Sequence, residues 1–169
     1  MFQGFVERYW RQFIMLLIAT SFVSGCSTVS DMLSDGEPPP PPPELVISVI
    51  ADSGVNQDLN GRPSPTVVRI YQLEDDALFK ESDFFALYDN DSALLSGDLL
   101  LRDEIIVNPG ASAIKKALLD KNTEFVGVLA AFQNTDNGVM KRVVAVNADK
   151  DQSVQVRLKD NQLTLDLLD

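Results

Sequence analysis

The sequence contains no histidine. That absence excludes the Ser-His-Asp arrangement of nucleophilic hydrolases and removes the commonest metal ligand. It has a single cysteine, Cys26, so no internal disulfide can form and no multi-cysteine zinc site can be built. It has a single tryptophan, Trp10, and that residue falls near the N-terminus. Basic residues are also scarce, with 14 Lys+Arg against 25 Asp+Glu and a net charge of −11. A surface of that sign repels phosphate backbones, so nucleic acid is excluded as a partner. Neither standard glycine-rich phosphate loop is present. Asp89-Asn90-Asp91 looks like a fragment of a calcium loop but lacks the glycine and the distal glutamate. These absences together predict a protein that is not an enzyme and holds no metal or cofactor.

What is present begins with the N-terminus. Arg8 and Arg11 precede an apolar stretch from Phe13 to Val23, of about 11 residues, and Ser24-Gly25-Cys26 follows. The run is too short to span a bilayer, which needs about 20 apolar residues. It has no polar face, so it does not read as a surface helix of a globular domain. A positive start, a short apolar stretch and small residues before a cut site make a secretory signal peptide over residues 1–25. Val23-Ser24-Gly25-Cys26 resembles the bacterial lipobox. That resemblance implies cleavage before Cys26 and attachment of lipid to its thiol and new amine. One acyl chain holds only marginally, at about 0.8 kcal/mol per buried CH₂, whereas three make a lasting anchor. Ser27 after the cysteine resembles the signal that sends such lipoproteins to the outer membrane.

Residues 26–43 form a linker. It is poor in apolar residues and ends in the uninterrupted run Pro38 to Pro43. Six prolines in polyproline II give a stiff spacer of roughly 19 Å, at about 3.1 Å per residue. The alternative is a ligand for a proline-reading domain.

From residue 44 to 169 the texture is that of short strands separated by turns. Leu45–Ile50, Thr66–Leu73 and Glu104–Val107 are rich in β-branched residues, and Asn108-Pro109-Gly110 signals a turn. Phe125, Gly127, Leu129 and Ala131 alternate with Val126, Val128, Ala130 and Phe132, so this strand is apolar on both faces and covered on both. Asn137-Gly138 predicts a hairpin into Lys141–Asn147. Val154, Val156 and Leu158, then Leu163, Leu165 and Leu167, predict a half-buried antiparallel hairpin. Glu74–Leu95 breaks the rhythm. Phe84, Phe85, Leu87 and Tyr88 recur at helical spacing, with Asp75 or Asp76 and Ser82 or Asp83 as caps. The expectation is an all-β, two-sheet antiparallel sandwich with two short inserted helices that cover an outer face.

Between the first two strands lies a long connection, Ala51 to Pro65. Pro63 and Pro65 fix their own φ and restrict Arg62 and Ser64, while Gly61 is free to take positive φ. A loop ordered in advance loses less entropy on binding. Asn56, Gln57, Asn60 and Arg62 are expected to offer hydrogen bonds at its tip. The loop reads equally as a docking surface and as an ordinary corner between two sheets.

Four stretches also carry a family resemblance: NGRPSPTVVRIYQL, DFFALYDND, SGDLLLRDEIIVNPG and FVGVLAAF. Spanning Asn60 to about Val146, with the lipobox in front, they resemble the TssJ (SciN-type) lipoproteins of type VI secretion systems. The resemblance implies a transthyretin-like sandwich on the periplasmic face of the outer membrane. It implies binding to the periplasmic C-terminal region of the inner-membrane component TssM, which tethers that complex to the outer-membrane lipid through the acyl anchor. It places much of the contact on Gly54, Val55, Asn56, Gln57, Asp58, Leu59, Asn60, Gly61, Arg62, Pro63, Ser64 and Pro65. The competing reading is a periplasmic lipoprotein that binds glycans or small ligands, with Tyr71 and Tyr88 as the aromatic platform.

Overall fold

The structure is a computed structural model in which residues 40–136 and 138–168 are described. The signal peptide, Cys26, Ser27, Trp10, Pro38, Pro39 and Asn137 lie outside the described residues. Pro40 to Pro43 carry neither helix nor strand, and a compact unit starts at Pro41.

Eight strands form two four-stranded sheets. In chain order they are β1 (Glu44–Ala51), β2 (Thr66–Leu73), β3 (Leu99–Val107), β4 (Ser112–Leu118), β5 (Phe125–Ala131), β6 (Lys141–Ala145), β7 (Gln152–Lys159) and β8 (Gln162–Leu168). One sheet has the order β4-β1-β7-β8 and the other β3-β2-β5-β6. Two helices, α1 (Ala77–Glu81) and α2 (Phe84–Leu95), lie between β2 and β3. The sandwich with two inserted helices is therefore as the sequence predicts. One pairing departs from a uniformly antiparallel pattern, because β1 runs parallel to β7. The chain reaches β7 only after visiting the second sheet, so the pair needs no direct crossover.

Alternation puts the larger core between the sheets. Leu45, Ile47 and Val49 of β1 and Val154, Val156 and Leu158 of β7 face Val68 and Ile70 of β2 and Val126 and Val128 of β5. The opposite face of β5 carries Leu129, and with Tyr71 and Leu73 it packs on Phe79 of α1 and on Leu87 and Leu95 of α2. This second core explains why β5 is apolar on both faces. Gly127 sits beneath α1, where a Cβ would come within 3.1 Å of the Phe79 ring and 3.2 Å of Leu73. Gly127→Val should therefore overpack this layer and destabilise by about 1–3 kcal/mol, seen as a lower midpoint in urea. An unchanged midpoint would show that α1 is free to lift.

The caps are local. Asp83 occupies the N-cap of α2 and its carboxylate accepts from Ala86 N at 2.8 Å. At α1 the two aspartates divide the work. Asp75 accepts from Ala77 N at 2.7 Å, whereas Asp76, at the cap position, makes no cap bond and pairs with Lys80 at 2.6 Å. The Lys141 ammonium of β6 donates to the carbonyls of Phe79, Lys80 and Ser82, satisfying acceptors that the end of α1 leaves open.

A buried polar knot ties α2 to the sheet. Asp91, with 5% of its side chain exposed, accepts from Tyr71 Oη at 3.1 Å, from Arg69 Nη1 at 3.3 Å and from Arg102 Nη1 at 2.8 Å. Arg69 also donates to Glu104 and to the carbonyl of Tyr88, and its guanidinium lies 4.3 Å from the Tyr88 ring centroid. Burial by itself would raise the Asp91 pKa. The bonds from Arg102 and Tyr71, with the charge of Arg102, outweigh it and hold the carboxyl below its ordinary 3.8. Burial, reinforced by the Asp91 charge, pushes the Tyr71 phenol well above its usual range. The three residues of the apparent calcium fragment are thus not a shared ligand set. The Asp91 carboxylate points into the protein and is held by two arginines and a tyrosine.

Candidate functional site: the distal loop surface

The strand registers put Glu44, where the chain enters the sandwich, at one end of β1 and Ala51 at the other. The connection 52–65, the turn 108–111, the β7–β8 turn and the β5–β6 connection all leave strands at that far end. The loop singled out from sequence crosses here from one sheet to the other.

Hydrogen bonds weld these segments together. Asp52 N donates to Leu158 O at 2.8 Å, and Asp52 O accepts from Gly110 N at 3.2 Å. Asn56 is the main brace. Its backbone is left-handed, with φ of 52°, a region asparagine tolerates better than most residues. It is buried, and its N–H donates to Asp160 O at 3.0 Å. Its side-chain amide donates to Pro65 O at 2.8 Å and accepts from Gln133 N at 2.7 Å. One residue therefore fixes the loop to the β7–β8 turn and to the β5–β6 connection.

The tip closes on itself. Asp58 N donates to Arg62 O, and Gly61 N to Asp58 O, both at 2.9 Å. One Asp58 carboxylate oxygen accepts from the N–H groups of Asn60 and Arg62, at 2.8 and 2.9 Å. The other meets the Arg62 guanidinium at 2.8 Å. The bond from the Arg62 N–H, helped by the guanidinium and Asn60, keeps the Asp58 carboxyl below its ordinary value. Gly61 has φ of 74°, the positive value expected for it. This closed turn holds Leu59 fully in solvent, at a relative exposure of 104%.

The twelve residues named from sequence therefore divide. Gln57, Leu59, Asn60, Gly61, Arg62, Pro63 and Pro65 are exposed. Val55 is not a contact residue, because its side chain is part of the core between the sheets. Asn56, expected at the tip, instead lies beneath it, and the Asp58 carboxylate is turned inward to hold the turn. Gly54 and Ser64 are half-buried, and Ser64 N donates to Val55 O at 3.3 Å. Polarity alone could not distinguish an asparagine offered to a partner from one consumed by a loop brace.

Sequence reasoning missed the neighbour of this loop. Gln133, Asn134, Thr135 and Asp136 face Gln57, Asp58 and Leu59 across a cleft of about 600 Å³. The only local signal was a polar stretch longer than a two-residue hairpin needs. β5 ends at Ala131 and β6, its antiparallel partner as expected, starts at Lys141, so the connection between them is longer than a two-residue turn.

The aromatic platform required for glycan binding is absent at the residues expected to supply it. Tyr71 is wholly buried, and Tyr88 stacks on Phe84 at 5.5 Å and lies against Arg69. Among the described residues no group of three or more Cys, Asp or Glu side chains is placed to hold a metal ion. No described helix is long and apolar enough to cross a membrane.

Comparison with known proteins gives a consistent result. Residues 43–161 match the family described as type VI secretion lipoprotein, VasD, EvfM, TssJ, VC_A0113. There is no match among curated proteins. The T6SS lipoprotein TssJ1 from Pseudomonas aeruginosa is 29% identical, with a TM-score of 0.71 over 76% of this chain and 98% of that one. A chain of a type VI membrane complex is 30% identical, with a TM-score of 0.64 over 75% and 98%. A chain in the structure described as the T6SS protein TssM C-terminal domain (869–1107) from EAEC is 28% identical, with a TM-score of 0.61 over 72% and 98%. With the sandwich, the helices between β2 and β3 and the match across residues 43–161 agreeing, this chain belongs to the TssJ (SciN) family of type VI secretion lipoproteins.

Proposed function

We propose that this protein is anchored by lipid on Cys26 to the periplasmic face of the outer membrane. There it captures the periplasmic C-terminal region of TssM, and so ties the type VI membrane complex to that membrane. Residues 1–25 are then the signal peptide, 26–43 the lipidated linker and 44–169 the docking domain. No catalysis is involved. The chemistry required is attachment at one end and recognition at the other.

The observation that carries this reading is the closed tip at Leu59. An exposed leucine on a mobile loop would lose much of its binding energy to ordering. Here Asp58, Gly61, Arg62 and the Asn56 brace have already fixed it. The loop leaves the sandwich at the end opposite Glu44, so the two functions do not compete for the same surface. One of the similar chains belongs to a structure of a TssM C-terminal domain, which supports that partner.

Leu59→Asp should weaken binding to the TssM periplasmic domain by at least about 30-fold, the effect of losing a hot-spot side chain. The melting temperature should not move, because Leu59 touches nothing in the fold. Biolayer interferometry on the full-length protein in detergent would measure it, and wild-type affinity would remove the tip from the interface.

A further inference from the structure

The docking surface has a second half. The cleft beside the tip is lined by Gln57, Gln133, Asn134, Thr135 and Asp136. Asn134 accepts from Asp136 N at 3.0 Å, which folds the connection into a local turn. The side chains of Gln57, Gln133 and Thr135 and the carboxylate of Asp136 have no bonding partner among the described residues, in contrast to Asp58, whose two oxygens are both taken. Both walls are held at a set separation, because Gln133 N is bonded to Asn56, the same residue that braces the tip loop.

This lining has a chemical preference. Two carboxamides and a hydroxyl can each donate and accept, which matches the alternating groups of a peptide backbone. The one uncommitted carboxylate, on a protein of charge −11, selects for a cation. We propose that the cleft receives an extended segment of the partner protein. Its main chain would lie along Gln57, Gln133 and Thr135, and a lysine or arginine would reach Asp136. Leu59 would then supply the apolar contact and the cleft the register. This inference rests on the docking role proposed above, and it assigns contact residues to a connection that the sequence does not distinguish.

The test uses the full-length protein in detergent and the purified TssM periplasmic domain, with three variants beside the wild type. Asp136→Lys reverses the cleft charge, Asp136→Asn removes it, and Asn134→Trp fills the cleft. Both positions, Asn134 and Asp136, are exposed, so unchanged melting curves are expected for all three variants. Asp136→Lys and Asn134→Trp should each weaken binding about tenfold or more, since a charge-assisted contact becomes repulsive or the space is lost. Asp136→Asn should weaken binding less and reduce its salt dependence. If Leu59→Asp weakens binding while all three cleft variants bind like the wild type, the cleft is overturned and the tip reading stands. If the cleft variants weaken binding and Leu59→Asp does not, the cleft is upheld and the tip is excluded. If none of the four has an effect, the partner docks elsewhere and both readings fall.

Discussion

Asp91→Ala is expected to destabilise the domain by about 3–5 kcal/mol, the usual cost of removing one partner from a buried charge cluster. The loss is large for three reasons. Arg69, whose side chain is 14% exposed, would keep its charge with only Glu104 as a counterion. The Tyr71 hydroxyl, fully inside, would lose its acceptor. The middle of α2 would also lose its attachment, at a helix already interrupted by the non-helical backbone of Asn90. Asp91→Asn keeps the shape and one acceptor and should cost less. The pair separates charge from packing in urea titrations.

The same residue sets an acid limit. Its folded pKa lies below the unfolded value near 3.8, so the unfolded chain takes up the proton first. The stabilisation is complete above about pH 4 and is lost as the pH falls through the depressed value. Stability measured from pH 6 downward should therefore fall more steeply in the wild type than in Asp91→Asn. Equal slopes would mean that the carboxyl titrates normally, and the knot would not hold as described.

Cys26→Ser is expected to have the largest effect in the cell. With no thiol to acylate, the protein should lose its lipid anchor and leave the outer-membrane fraction. Purified variant should still bind the TssM domain with wild-type affinity, since the distal loops lie beyond the far end of the sandwich from Glu44. Secretion should cease while binding persists. Fractionation and interferometry together make the distinction. Retention of Cys26→Ser in the outer membrane would refute the anchor, and loss of binding would show that the lipid end contributes to recognition.

Several features were legible in the sequence because they are local. Alternation of Val154, Val156 and Leu158 identifies a strand and its inner face, and the doubly apolar β5 announces a layer on each side. Asp83 caps the helix it precedes, and Gly61 marks the turn that needs positive φ. The wording between Asn60 and Val146 that resembles the family is local too, and the family match over residues 43–161 agrees with it.

β4 shows where this stops. Its apolar residues Ile114 and Leu118 face solvent, at 71% and 58% exposure, while Lys115 turns toward β3 and pairs with Asp103 at 2.7 Å. An edge strand with two lysines is protected against further pairing, and that protection inverts the pattern by which strands are recognised. Its existence depends on β1 beside it.

The lone cysteine, the missing histidines and the strand periodicity are properties of neighbouring residues, and the linear chain determined them. Only the tertiary structure could decide that Asp91 meets Arg69 and Arg102, that Asn56 braces a loop rather than facing a partner, and that Gln133–Asp136 stands across a cleft from Leu59. Those pairings join segments far apart in the chain, and their energies come from burial and hydrogen-bond geometry that exist only once the two sheets have closed on each other.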